Sequence, residues 1–144
     1  MSGRSREAAS RGTIGLLKAT TLLLAATLLT QAITAGQLLS DEAGRQLHHA
    51  AGGAVSIALV LQIAAAFLVW RVGHGSARYL VVSASMLLLT GVQFVAGDGG
   101  AVAVHVPLGV ALFGAGTFLV AQVWPAGPAP RAVSGTAEAD RLPG

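Results

Sequence analysis

The stretch HHAAGGAVSIALVLQIAAAFLVW, residues 48–70, carries no formal charge across 23 consecutive positions. A helix rising about 1.5 Å per residue needs about 20 such residues to cross a hydrocarbon core of about 30 Å. The run is therefore long enough to span a bilayer, and it opens on two imidazoles. Three further apolar runs lie at 14–36, where Lys18 is the one charge, and at 79–97 and 101–124, which have none. They predict an all-α polytopic membrane protein, a four-transmembrane-helix bundle running up-down-up-down.

The composition agrees. Of 144 residues, 53% are hydrophobic and 10% charged, against about 25% charged in soluble domains. The mean hydropathy is +0.69. Residues 1–13 are rich in Ser, Gly and Arg, and residues 125–144 in Pro, Ala and Gly without apolar periodicity, so both are expected to be disordered tails. Residues 1–36 also have the parts of a signal peptide, with basic residues, an apolar core and small residues at AITAG. Cleavage there would leave three spans and break a pairing of hairpins described below.

The sequence pI of 10.7 does not point to nucleic acid, because the basic residues are dispersed and have no aromatic residues among them. Their placement reads as topology. Arg4, Arg6 and Arg11 precede the first span and Lys18 lies in its opening turns, Arg71 and Arg78 flank the second loop, and Arg131 and Arg141 follow the fourth span. The first and third loops hold Arg45 with Asp41, Glu42 and Asp98. The positive-inside bias puts both termini in the cytoplasm of a bacterial plasma membrane, and Trp70, Tyr79 and Trp124 fall at the cytoplasmic ends, as interfacial aromatics do. With no cysteine, disulfides, thiolate metal sites and thiol nucleophiles are excluded.

The second hairpin echoes the first. An offset of 56 residues matches Thr34 with Thr90, Gln37 with Gln93, His49 with His105 and Gly53 with Gly109; an offset of 57 matches Asp41 with Asp98, His48 with His105 and Gly52 with Gly109. In either register a His stands at the start of the second helix of each pair. Helices two and four are parallel in an up-down bundle and lie diagonally across it, so His48 or His49 faces His105 at one depth. Intramembrane ionisable residues tend to mark function, and a pair of inward imidazoles is the donor set of an axially ligated haem. Gly52 and Gly109 follow His48 and His105 by four residues, one turn deeper on the same face, where an absent Cβ leaves room for a flat macrocycle or for a close helix.

Between the adjacent histidines the residues leave a choice. At about 100° per residue, Gln62 lies about 40° from His48 and about 140° from His49. If Gln62 turns from lipid, so does His48; the 56-residue register favours His49. Arg45, one turn before His48, is placed to pair with a haem propionate or to be solvated. His74 reads as a loop residue. Thr20, Thr27, Gln31 and Thr34 form one stripe of helix one, and Ser83, Thr90 and Gln93 one stripe of helix three, serving as interhelical glue or as contacts to a cofactor or quinone.

The segments LHHAAG (47–52) and HVPLG (105–109) resemble those of heme A synthase, each half of which is a four-helix bundle with haem-ligating His on its second and fourth helices. Residues 14–124 look like one such half, and they are also similar to small uncharacterised bacterial four-helix membrane proteins, a domain family of unknown function. The resemblance implies that His48 and His105 are the metal ligands, with His49 where the synthase has Arg. The chain departs from the synthase in having one bundle, and Arg45 and Gln46 where the synthase carries an acidic residue. The expected function is accordingly a b-type cytochrome holding haem b and exchanging electrons with a quinone or a redox protein, with any enzymatic activity left open. A cofactor-free accessory or scaffold protein is the alternative. The glycine faces at Gly109 and Gly116 could also pack a second copy into a homo-oligomer.

Overall fold

The computed structural model describes residues 3–38 and 42–124. The chain forms four helices, α1 (Gly3–Gln37), α2 (Glu42–Arg71), α3 (Arg78–Asp98) and α4 (Val102–Val123). All four are long and apolar enough to cross a membrane. The C-terminal tail expected at 125–144 lies outside the described residues. At the other end, α1 starts at Gly3, so most of the expected 1–13 tail is helical. Its charges are compatible with a helix there: Arg11 pairs with Glu7 one turn back at 3.0 Å, and the Thr13 hydroxyl donates to the Ser10 main-chain carbonyl.

The helices form a ring in which α1 packs on α2 and α4, and α3 on α2 and α4, leaving α2 and α4 diagonal to one another. Between α1 and α2 the contacts run in opposite order, with Gln31 beside His48 and Thr20 beside Gln62. The core is aliphatic. Leu24, Leu28, Val55, Ala58, Leu59, Met86, Leu112 and Leu119 form one cluster, and Leu17, Ala65, Ala66, Val69 and Val123 form another toward the Trp124 end. The outward face is equally apolar, with Leu88 73% and Val95 76% exposed. A helix apolar on all sides has no water-facing side, which fits a lipid surround.

Several polar groups in the interior find partners across helices. Gln62 is 0% exposed, accepting from Thr20 and donating to Thr21 at 2.9 Å. At the end remote from the histidines, Lys18 stands 5.3 Å over the Trp124 ring, and Tyr79 receives a bond from Arg78 and reaches the Gln122 carbonyl. Gly116, which sequence alone left free to pack a second copy, is covered from within by Leu28.

The α3–α4 turn is short because Gly100 adopts φ +70, the left-handed conformation. Ala101 then donates to the Ala96 carbonyl at 2.8 Å and Gly100 to Gly97 at 3.1 Å, a Schellman closure of α3. At the α1–α2 turn, Gly44 sits against the Gln37 carbonyl with no room for a Cβ.

Candidate functional site

These two turns bring the first residues of α2 and α4 to one end of the ring. His48 and His105 face each other there across the diagonal, with ring centroids 6.1 Å apart and planes inclined by 64°. Both are half-buried, whereas His49 is exposed. The choice that sequence left open is therefore settled by packing: the inward face of α2 carries His48, together with buried Ala51, Gly52, Val55 and Gln62, and His49 lies off it.

Each imidazole is oriented by the helix preceding it in the chain. His105 Nδ1 lies 3.0 Å from the main-chain oxygen of Gln93. A carbonyl only accepts, so Nδ1 carries the proton and Nε2 the lone pair. Around His48, the Gln31 amide Nε2 is 3.2 Å from ring Nε2, and Thr34 Oγ1 is 3.3 Å from ring Nδ1. An amide nitrogen only donates, which again makes Nε2 the acceptor and directs the Nδ1 proton to Thr34. The Thr34 hydroxyl proton goes to the Gln31 carbonyl, completing the chain of donors. Both rings thus present the same tautomer, with Nε2 as the nitrogen able to bind an electrophile. A metal-binding His usually has its other N–H donated to a carbonyl or hydroxyl in this way.

The glycines are where the sequence placed them, and the space each leaves is filled. A Cβ on Gly52 would stand 3.1 Å from Phe94 Cζ and 3.6 Å from Gln31 Nε2; one on Gly109 would stand 2.9 Å from Gln93 Nε2. Flexible side-chain ends, not backbone, occupy both positions. The two half-sites match: a His, a Gly one turn on, and a Gln amide from the neighbouring helix over that Gly. The oxygens Gln31 Oε1 and Gln93 Oε1 are both buried without a hydrogen-bond partner. A buried unpaired acceptor costs about 1–3 kcal/mol.

Gln31 and Gln93 were visible in the sequence only as members of polar stripes; their contact with the histidines depends on how the hairpins close. Gln31 precedes His48 by 17 residues and Gln93 precedes His105 by 12, so neither 56 nor 57 superposes both pairs. Gly97 had no signal at all. A Cβ there would lie 3.0 Å from His105 Nδ1 and Cε1, so the glycine lets the ring lie flat against α3. Arg45 is exposed one turn before His48. His74 lies in the α2–α3 connection with φ 51, away from the pair in the ring of helices.

Among the described residues no three His, Cys, Asp or Glu side chains gather as a metal site. The protein donors at this position are two imidazoles, and a metal held there needs the rest of its coordination sphere from elsewhere. No family model, curated protein or solved structure matches the chain.

Proposed function

We propose that this chain is a multi-pass protein of the bacterial plasma membrane, crossing it up-down-up-down with both termini cytoplasmic, and that it binds one haem b between His48 and His105 for electron transfer. The observation that carries the reading is the separation of the two rings. Two metal–imidazole bonds of about 2 Å each, with a ring centroid about 1 Å behind each nitrogen, call for centroids about 6 Å apart once both Nε2 atoms are turned to the metal, which for His48 means releasing the Gln31 amide. The imidazoles stand at 6.1 Å.

The donor set supports the same conclusion. Two imidazoles are a donor set that a haem iron, already held by its porphyrin, would accept without a third protein ligand. The ring tautomers leave both Nε2 atoms as acceptors, with Thr34 and the Gln93 carbonyl holding the Nδ1 protons. The amides of Gln31 and Gln93 and the ring of Phe94 would have to swing from over Gly52 and Gly109 to admit the macrocycle; all three are side-chain ends with rotatable bonds. Haem, when bound, would supply reversible one-electron chemistry. The chain's part would be to hold the two imidazoles of His48 and His105, exclude water with its apolar wall and tune the group through the Nδ1 hydrogen bonds. A membrane quinone or a redox protein would be the electron partner.

The test is the absorption spectrum of protein purified in detergent after expression with ample haem. The dithionite-reduced form should show a sharp alpha band. His105→Ala and His48→Ala should each abolish that band, while His49→Ala should keep it. An unaltered spectrum in either of the first two variants rejects the ligand assignment. The second reading, a cofactor-free accessory protein in which the His pair and the glutamines are interhelical contacts, is favoured by the filled space beside Gly52 and Gly109 and predicts colourless protein.

A further inference from the structure

The end of the bundle away from the histidines carries cations without counter-ions. Leu17, Val69 and Val123 cluster there with Tyr79, which brings Lys18, Arg71 and Arg78 to one level. Each cation lies against an aromatic ring: Lys18 Nζ is 5.3 Å from the centre of Trp124, the Arg71 guanidinium 5.3 Å from that of Trp70, and the Arg78 guanidinium 4.7 Å from that of Tyr79. Stacking orients a cation without neutralising it. Among the described residues none of the three has a carboxylate partner; the ion pair there is Arg11 with Glu7. Glu42, which opens α2, and Asp98, which closes α3, stand at the opposite end. The segment after Trp124 sets Arg131 and Arg141 against Glu138 and Asp140, so it brings no net negative charge.

Lys18 is the cation with the greatest need of an anion. It is half-buried, four residues or about 6 Å inside the start of the first apolar run. Ile14 and Leu22, one turn to either side of it, are exposed. We propose that Lys18 and Trp124, at the seam of α1 and α4, bind the headgroup of an anionic phospholipid of the phosphatidylglycerol kind, the phosphodiester accepting from Lys18 Nζ while the acyl chains lie on Ile14 and Leu22. A free phosphate would leave those two apolar side chains unused. A zwitterionic lipid carries its own cation beside its phosphate, so Lys18 selects for a head of net negative charge. The site rests on the membrane reading above and is independent of haem.

The experiment uses the full chain with Trp70→Phe, which leaves Trp124 as the single tryptophan. It is reconstituted into phosphatidylcholine vesicles containing increasing shares of brominated phosphatidylglycerol or, in a parallel series, brominated phosphatidylcholine, and quenching of Trp124 fluorescence is read. Brominated phosphatidylglycerol should reach half-quenching at about one-fifth of the mole fraction that brominated phosphatidylcholine needs, the preference expected from one interfacial cation. Lys18→Gln should bring that ratio close to one, Lys18→Arg should keep it, and Arg71→Gln, on the Trp70 side, should leave it unchanged. Excess inorganic phosphate should not relieve the quenching. The ratio in the Trp70→Phe parent tests the proposal without any change at Lys18, so a misfolded Lys18→Gln does not shield it. Equal quenching by the two lipids, a ratio unmoved by Lys18→Gln, an equal fall with Arg71→Gln, or relief by inorganic phosphate overturns the lipid site and leaves the membrane reading standing. Absence of quenching by either lipid overturns the membrane reading as well.

Discussion

Gly109 and Gly116 lie seven residues apart on one face of α4, so a comparison of the two separates a glycine that serves the site from one that serves packing. A Cβ on Gly116 would overlap Leu28 Cδ1 and touch Met86 Cε at 3.9 Å. Leu28 is 6% exposed and Met86 2%, so neither has open space to move into, and the added methyl overpacks the core at about 1–3 kcal/mol. A Cβ on Gly109 would meet only the terminal Nε2 of Gln93 at 2.9 Å, and a small rotation of that flexible amide relieves the contact. Gly→Ala also favours a helix by up to about 1 kcal/mol, so Gly109→Ala should be neutral or slightly stabilising. Reversible unfolding in mixed micelles measures both. Occupancy is then read with the larger side chain: Gly109→Leu should abolish the reduced alpha band by filling the face beside His105, whereas Gly116→Ala, though destabilised, should retain it. Equal destabilisation by the two alanine variants, or an intact band in Gly109→Leu, would refute the reasoning.

Four further variants test the packing and the surface. Gln62→Leu removes two interhelical hydrogen bonds at near-constant volume, and because Thr21 keeps its bond to the Leu17 carbonyl and the Thr20 hydroxyl proton can turn to the Leu16 carbonyl, micelle unfolding should show a loss of about 1 kcal/mol at the roughly 0.6 kcal/mol found per such bond in membranes. Gln62→Ala adds a cavity at a position that is 0% exposed and should cost about 2–4 kcal/mol, the cavity outweighing the hydrogen bonds. Gly44→Ala places a methyl on the backbone carbonyl of Gln37, which cannot rotate away, and should cost at least about 2 kcal/mol in the same assay. Arg11→Ala breaks an ion pair whose side chains are 72% and 67% exposed, and its unfolding midpoint should match wild type, since exposed i,i+4 pairs contribute only a few tenths of a kcal/mol.

The four helices were legible because apolar runs of more than 18 residues have few alternatives, and their observed bounds differ from the sequence reading mainly at the charged ends. Residues 3–13 are the clearest difference. Their Ser, Gly and Arg content suggests a tail, yet Glu7 and Arg11 stand one turn apart on a helix that is already nucleated by the apolar segment following them. Extending a helix requires much less than starting one, and composition does not register that.

The candidate site divides in the same way. That a histidine stands in the first turns of α2 and of α4, and that a glycine follows each after one turn, are one-dimensional facts, and helical periodicity carries them into geometry. Whether His48 or His49 turns inward could be argued from Gln62, whose burial is itself a consequence of the low tolerance of lipid for an unpaired amide. The contacts of Gln31 with His48 and of the Gln93 carbonyl with His105, the fit of the His105 ring over Gly97, and the 6.1 Å between the rings arose only from the tertiary structure. They depend on where two turns of unequal length place one helix along its neighbour, and a slide of a single residue moves a side chain about 1.5 Å along the axis and about 100° around it. Sequence periodicity fixes which residues share a face of one helix; the depth at which two faces meet is decided by loop closure and by packing of all four helices at once.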